Sequence, residues 1–400
     1  MGITRRHFLR SAAAVGAVAV TSAGTAKAFA ADGSNPAVAE PASEATEADA
    51  GRFLPADELP MNPSIHSPWF SNGVAVTRDN TVFLGLPRWP GHEVTPSVAR
   101  MAADGTAWPF PGGEWNNWRP GDDGKNALVY VNSVHIFEDD TVWCVDQGGL
   151  RDDVALPGAQ KLVQFDARSG HVLKIIRYDD QILPPGSKLN DLRLYGQLIY
   201  NTDSGLGGII CHNQETGKTL RRLSGFREVL AGYEKPRAGV KHKTPKSDLI
   251  EITPDGEWLS WASPTGPFRR VRTKYLWDES ISDTVLATHV EHWFDTPLVG
   301  GSAMDTLGNL YLSDIHGKRV ILRSPSGQET ILCSHPELLS GDAPFISADR
   351  KLYVPAPQTE LTRLFGPTDR THRPFLTFVV DLPREFAGIS LGDAVTGKPV

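Results

Sequence analysis

The sequence predicts an all-β fold, a six-bladed β-propeller with four-stranded blades around a central channel. Three observations predict it. A hairpin-like unit recurs six times after residue 70, starting at Asn72, Asn132, Asn190, Asp248, Gly300 and Asp342. The starts lie about 40 to 60 residues apart, the spacing of propeller blades. Gly (38) and Pro (30) are abundant, as many short strands joined by tight turns require.

The chain opens with an export signal rather than with the fold. Arg5 and Arg6 precede Phe8-Leu9, then an Ala/Val-rich run from Ala12 to Val20 and small residues around Ala28-Phe29-Ala30. Paired arginines, a mildly apolar core and a small-residue cleavage site read as a twin-arginine signal over residues 1–30. The run is too short to span a membrane. The expected destination is periplasmic or extracellular. Residues 31–60 are rich in Ala, Glu, Asp, Ser and Pro and read as a flexible acidic linker. The propeller is expected over 61–385 and a C-terminal tail over 386–400.

Each repeated unit has the same internal order. A polar residue leads an alternating apolar strand, a turn with Asp, Asn or Gly follows, and a second strand returns. Two further strands follow most hairpins, as in Lys161–Asp166 with His171–Tyr178, joined through Arg168-Ser169-Gly170. One blade cannot bury its own faces, so the units must stack. Two packed β-sandwiches are the competing arrangement.

The formal charge is -7, and losing the four cations of the first thirty residues, which hold no acid, makes it -11. An acidic surface repels phosphate backbones, so nucleic acid is not an expected partner. No later segment reaches membrane-spanning length. Cys144, Cys211 and Cys333 have no metal-site spacing, and an odd count leaves at least one thiol unpaired within the chain.

The leading residue of each inner strand falls at the channel mouth. Asn72, Asn132, Asn190, Asp248 and Asp342 therefore form a candidate ring of hard oxygens around a small-molecule site, with Gly300 at the fifth blade. Such a set suits Ca²⁺, with Asn190 and Asp248 as candidate metal ligands. It suits a protonated amine or a polyol equally well. Asn and Asp at strand starts also cap loops, which is the structural alternative. Asp146, Asp203 and Asp314 end second strands and read as turn formers. Trp89 and Trp115 are candidate ligand-binding aromatics. Asp248 and His316 are the candidate acid–base residues. No Gly-x-Ser-x-Gly elbow, HExxH or phosphate loop is present.

Several segments resemble the major royal jelly/yellow protein family, which has bacterial members. Leu86-Pro87-Arg88-Trp89 is similar to its Pro-Arg-Trp segment, and Glu114-Trp115-Asn116 to its Glu-Trp-Asn segment. Leu189-Asn190-Asp191-Leu192 with Thr202-Asp203-Ser204-Gly205 resembles another paired motif, as does Ser247-Asp248 with Ser263-Pro264-Thr265-Gly266. The stretch His335-Pro336-Glu337-Leu338 to Gly341-Asp342 completes the match, which runs from about Asn72 to Leu382. Leu249, Gly341 and His316-Gly317 depart from the family pattern. The resemblance implies a six-bladed propeller. It also implies a binder of a small aromatic or amine ligand, with dopachrome-tautomerase-like activity as the chemistry to expect.

The alternative is a Ca²⁺-dependent lactone hydrolase like the gluconolactonase-type propellers, in which Asn190 and Asp248 supply ligands. Ser71-Asn72-Gly73 stands where that type has a glutamate. The second alternative is a non-enzymatic interaction module.

Overall fold

The computed structural model describes residues 57–151, 153–231 and 245–394. The expected export signal, the linker up to residue 56 and residues 395–400 lie outside the described residues.

Strand β1 (Asn62–Ser67) precedes the first blade, which contains β2 (Gly73–Val76), β3 (Val82–Gly85), β4 (Val98–Met101) and β5 (Ala107–Pro109). Blade two holds β6 (Val131–Ile136), β7 (Val142–Asp146), β8 (Lys161–Phe165) and β9 (Val172–Ile176). Blade three holds β10 (Leu189–Tyr195), β11 (Leu198–Asp203), β12 (Ile209–Asn213) and β13 (Thr219–Arg222). Blade four holds β14 (Leu249–Ile252), β15 (Trp258–Ala262) and β16 (Phe268–Arg272); helices α1 (Thr273–Trp277) and α2 (Asp283–Thr288) come before its β17 (Glu291–Phe294). Blade five holds β18 (Val299–Met304), β19 (Leu310–Asp314), β20 (Arg319–Arg323) and β21 (Glu329–Ser334). Blade six holds β22 (Phe345–Ile346), β23 (Lys351–Ala356) and β24 (Phe375–Asp381). A last small hairpin pairs β25 (Glu385–Phe386) with β26 (Ile389–Ser390).

The sheets are six antiparallel four-stranded blades, so the expected propeller is the observed fold. Five blades run through the sheet in chain order. The sixth is built from both ends, in the order β1-β24-β23-β22. β1 pairs with β24 from Asn62↔Val379 to Ser67↔Phe375. A parallel bridge between Gly73 and Ala343 joins the first and sixth inner strands. The chain therefore closes the ring with its own upstream strand. A short stretch bearing Pro63 and polar residues carries little strand signal by itself, but here it fills a waiting edge.

Burial grades outward through each blade. β2 and β6 are buried throughout, whereas Val172, Leu173 and Lys174 of outer β9 are exposed. Inner strands lie between neighbouring blades, so both faces must be apolar. Val74, Leu84 and Phe83 of blade one share a cluster with Val134, Cys144 and Phe165 of blade two. Each such fully buried side chain contributes about 1.5–3 kcal/mol. Cys144, Cys211 and Cys333 are free, buried thiols, and burial pushes all three pKa values up.

The inner hairpin turns place one residue each in the left-handed region: Asn80, Asp140, Gly196, Gly256, Gly308 and Arg350. Gly256 also has no room for a side chain, since a Cβ would lie 2.4 Å from the Tyr195 ring. Arg350 is the unusual occupant. Its guanidinium is tied to Asp393 Oδ1 at 2.6 Å and to the Gly392 carbonyl at 3.0 Å, which holds the segment after β26 against the turn.

Candidate functional site

The six leading positions meet around one opening. The backbone N–H groups of Asn72, Asp248 and Asp342 donate to the carbonyls of Gly85, Ala262 and Pro355, the same hairpin position in blades one, four and six. In blades two, three and five the ladder shifts register between Val131 and Ser133, between Leu189 and Leu192, and between Val299 and Ser302. Such bulges re-aim side chains. They turn Asn132 and Asn190 toward each other across the blade boundary.

The amides run in one direction. Asn132 Nδ2 donates to Asn190 Oδ1 at 3.0 Å. Asn190 Nδ2 donates to the Asp248 carbonyl at 3.2 Å and to its carboxylate. Gln147 Nε2 (3.3 Å) and Ser204 Oγ (3.0 Å) also donate to Asn190 Oδ1. That oxygen thus accepts three hydrogen bonds. In this arrangement the side chain of Asn190 orients Asp248, the other candidate metal ligand.

Blade five contributes no side chain. A Cβ on Gly300 would lie 2.0 Å from the Gly341 carbonyl oxygen, and one on Gly301 would lie 2.5 Å from Ala343. These glycines let the segment leading into blade six approach the axis, bringing Asp342 toward Asp248. Both carboxylates are only half-buried by exposed surface, yet both are hemmed in by protein. Burial is the main cause raising Asp248 to about 7; the Asp191 charge adds to it, and Arg151 and the Asn190 hydrogen bond oppose it. Burial, and next the charge of Asp248, raise Asp342 well above the usual carboxylate range.

A second polar layer lies under the ring. His135 Nε2 meets Asp191 Oδ1 at 2.5 Å, and Arg193 Nη1 donates to Asp191 Oδ2 at 3.1 Å. Arg193 also grips Glu251 through Nε (3.0 Å) and Nη2 (2.7 Å), and Ser302 Oγ donates to Glu251 at 2.7 Å. Burial works to raise Asp191, but the charges of Arg193 and His135 and the hydrogen bonds from His135 and Leu192 outweigh it and hold it ionised. The layer is satisfied internally and plugs the channel.

Trp89 reaches the mouth and Trp115 does not. Trp89 is buried, stacks on Phe70 with centroids 5.3 Å apart, and donates from Nε1 to Thr362 at 3.0 Å. The Arg151 guanidinium covers its face, 4.0 Å from the ring centroid. Trp115 packs edge-on against Phe165, 5.4 Å away, in the cluster between blades one and two. His316 is exposed in the turn between β19 and β20, on the rim and outside the ring. Asp146, Asp203 and Asp314 each accept backbone N–H groups and pair with Lys161, Arg221 and Arg319, respectively. They brace the mouth loops.

Sequence reasoning did not single out Gln147, Arg151, Asp191, Arg193 or Glu251. The inner layer had a signal: His135, Arg193 and Glu251 each stand three residues after a ring position, with complementary charges in adjacent blades. Arg151 sits in an irregular loop and had none.

No family model matches the chain, and no curated protein matches it. Solved structures do. A luciferin-regenerating enzyme is similar at a TM-score of 0.52 and 10% identity, over 85% of this chain and 99% of that one. A calcium-binding regucalcin from Agrobacterium tumefaciens is similar at 0.49 and 14%, over 85% and 96%. A gluconolactonase from Xanthomonas campestris is similar at 0.48 and 16%, over 84% and 93%. At these identities the likeness is one of fold.

The ring's chemistry fits a hard cation. Asp248 and Asp342 have no cation in contact among the described residues. Asn72 Oδ1 and Gln147 Oε1 are buried acceptors that no donor among the described residues reaches. No three His, Cys, Asp or Glu residues converge on a metal-sized point among the described residues. A cation at the mouth would therefore lean on amide oxygens beside the two carboxylates. A cavity of about 590 Å³ opens at the other end of the channel, between the hairpin turns, lined by Val76, Arg78, Phe137, Phe345 and Arg350 among others. Arg350 there is paired with Asp393, whereas the mouth holds two carboxylates with no cation in contact among the described residues, so the mouth is the better reactive site.

Proposed function

We propose that the channel mouth is the catalytic site of a hydrolase for small cyclic esters. The observation that carries this is the Asp248–Asp342 pair, desolvated at one opening with Asp248 raised to about 7. A carboxylate with that affinity for protons is matched to general-base work near neutral pH. Asn190 fixes the direction in which Asp248 faces. Asp248 takes the proton of a water that adds to the ester carbonyl. The acyl–oxygen bond then breaks, and the departing oxygen becomes a hydroxyl of the same molecule. Asp342, whose proton affinity is raised by burial and by the charge of Asp248, stands beside that oxygen as the group that donates to it. Asn72 and Gln147 present acceptors to hydroxyls of the ring being opened. A hard divalent cation, where bound, would be held by Asp248, by Asp342 in its ionised form and by these amide oxygens, and would polarise the carbonyl. Export by the twin-arginine route belongs to the same proposal.

The test is lactone cleavage by the full chain with and without Ca²⁺, followed by the same assay on Asp248→Asn. Removing a general base costs about 10²–10⁴-fold in rate. No cleavage of any five- or six-membered lactone would sink the proposal.

A second reading is the binding of a small aromatic amine with a dopachrome-tautomerase-like proton shift. It draws on the royal jelly/yellow resemblance and on the paired carboxylates, which suit an ammonium group. Trp89 weighs against it, because Arg151 already occupies the face such a ligand would use.

A further inference from the structure

Most guanidiniums around the channel are committed. Arg193 is held by Glu251 and Asp191, Arg221 by Asp203, Arg319 by Asp314 and Arg350 by Asp393. Arg88 is buried and donates to the Thr95 carbonyl at 2.6 Å. Arg151 differs. It is half-buried and sits over the Trp89 ring, 4.0 Å from its centroid. No acceptor among the described residues lies within hydrogen-bond reach of its guanidinium, so none of its five N–H donors is spent on any of them. Its charge is nonetheless felt by both Asp248 and Asp342.

A guanidinium kept only to neutralise two carboxylates would close onto them in the paired geometry it forms so readily. This one is held back by the Trp89 ring, which Phe70 and the Thr362 hydroxyl lock in turn. The mouth is thus polarised. On one side stands a planar cation with free donors. On the other stand Asp248, Asp342, Asn72 Oδ1 and Gln147 Oε1, which accept. A ligand complementary to both has an anionic head and a hydroxyl-bearing body.

We infer that Arg151 is the anion-recognition residue of the channel mouth and that its ligand is a polyhydroxy carboxylate. This rests on the proposed hydrolysis, of which such a carboxylate is the product. Water and a neutral lactone give one carboxylate, one hydroxyl and one proton. Asp248 takes the proton, and the new negative charge develops where Arg151 has donors to receive it.

The test is calorimetric titration of the full chain with D-gluconate and, separately, with D-glucitol, which has the same carbon chain with an uncharged hydroxyl in place of the carboxylate. Charge-assisted hydrogen bonds of this kind make the carboxylate bind about 10–100-fold tighter. Arg151→Gln is expected to erase that preference in a chain that still unfolds cooperatively and still binds glucitol. Arg151→Lys is expected to restore it in part, since a point charge replaces a fork. Equal binding of the two probes, no binding of gluconate, or an unaltered preference in Arg151→Gln overturns the inference. Lactone cleavage is measured separately. Arg151-dependent gluconate binding without cleavage would sink only the hydrolase proposal, and cleavage without that dependence would sink only the role of Arg151.

Discussion

Asn190 donates one side-chain nitrogen to both the backbone carbonyl and the carboxylate of Asp248, and so ties blade three to the reactive group of blade four. The bond favours the ionised carboxylate. Asn190→Ala removes it and leaves Asn132 Nδ2 without its side-chain acceptor. The ionisation limb of the hydrolytic pH–rate profile should then move to higher pH. Asn132 keeps the Asn190 backbone carbonyl at 3.2 Å, but Gln147 Nε2 and Ser204 Oγ lose their acceptor, so unfolding in urea should show a loss of about 1–3 kcal/mol.

Asp248 also sets a pH dependence of stability. Its folded pKa, about 7, lies above the unfolded value of 3.8. The folded state therefore binds the proton more tightly, and the stability this contributes is full below pH 3.8. It is lost as pH rises toward 7. Asp248→Asn should flatten the fall in thermal midpoint between pH 4 and pH 7. A steeper fall in the variant would contradict this account.

Calcium should act on the same balance without any substrate. The two carboxylates repel once ionised, and a cation that binds only the folded mouth stabilises by mass action. At a free concentration 100 times Kd the gain is about 2.7 kcal/mol. Scanning calorimetry at pH 8 should show a raised midpoint with Ca²⁺ and its reversal by EDTA. The shift should vanish in the Asp248→Asn, Asp342→Asn double variant. It should persist in Asn132→Ala, whose amide only supports Asn190.

The sequence made the ring legible because each of its members is a polar residue leading an apolar strand, and that pattern recurs once per blade. Sixfold equivalence then places the members at one opening with no knowledge of contacts. What stayed hidden depends on tertiary meetings. The strand Asn62–Ser67 is defined by the edge of β24 that receives it. Arg151 has meaning only beside Trp89, about sixty residues earlier in the chain. Trp115 and Trp89 look alike in sequence, and only the packing of Phe165 separates a blade-interface residue from one at the mouth.

The mouth loops of blades one and six are latched by a histidine. His92 Nε2 lies 3.1 Å from Asp369 Oδ2 and 3.2 Å from Thr371 Oγ1, between the rings of Phe70 and Phe375. Burial lowers its pKa, Asp369 and Glu93 oppose that, and Arg373 adds to it. A depressed folded pKa means the stability is present above the unfolded value of 6.5 and is lost as pH falls through the folded one. Amide protection factors in residues 86–96 and 357–374 should therefore fall below pH 6.5, once the intrinsic exchange rate is divided out. His92→Gln should remove that pH dependence.

The buried layer under the ring makes the sharpest demand on stability. Arg193 is almost wholly enclosed and is neutralised by Glu251 and Asp191. Glu251→Ala leaves a buried guanidinium short of its bidentate partner and strips Ser302 Oγ of its acceptor. The expected cost is about 3–5 kcal/mol, since the penalty is that of an uncompensated charge and not merely a lost contact. Replacing the whole group with apolar side chains of similar volume should cost far less, because no charge is then stranded. Chemical denaturation of Glu251→Ala beside a Glu251→Leu, Arg193→Met, Asp191→Leu, His135→Phe variant separates the two cases. If the single substitution proves the milder one, the layer is not the mutually neutralised unit that its distances describe.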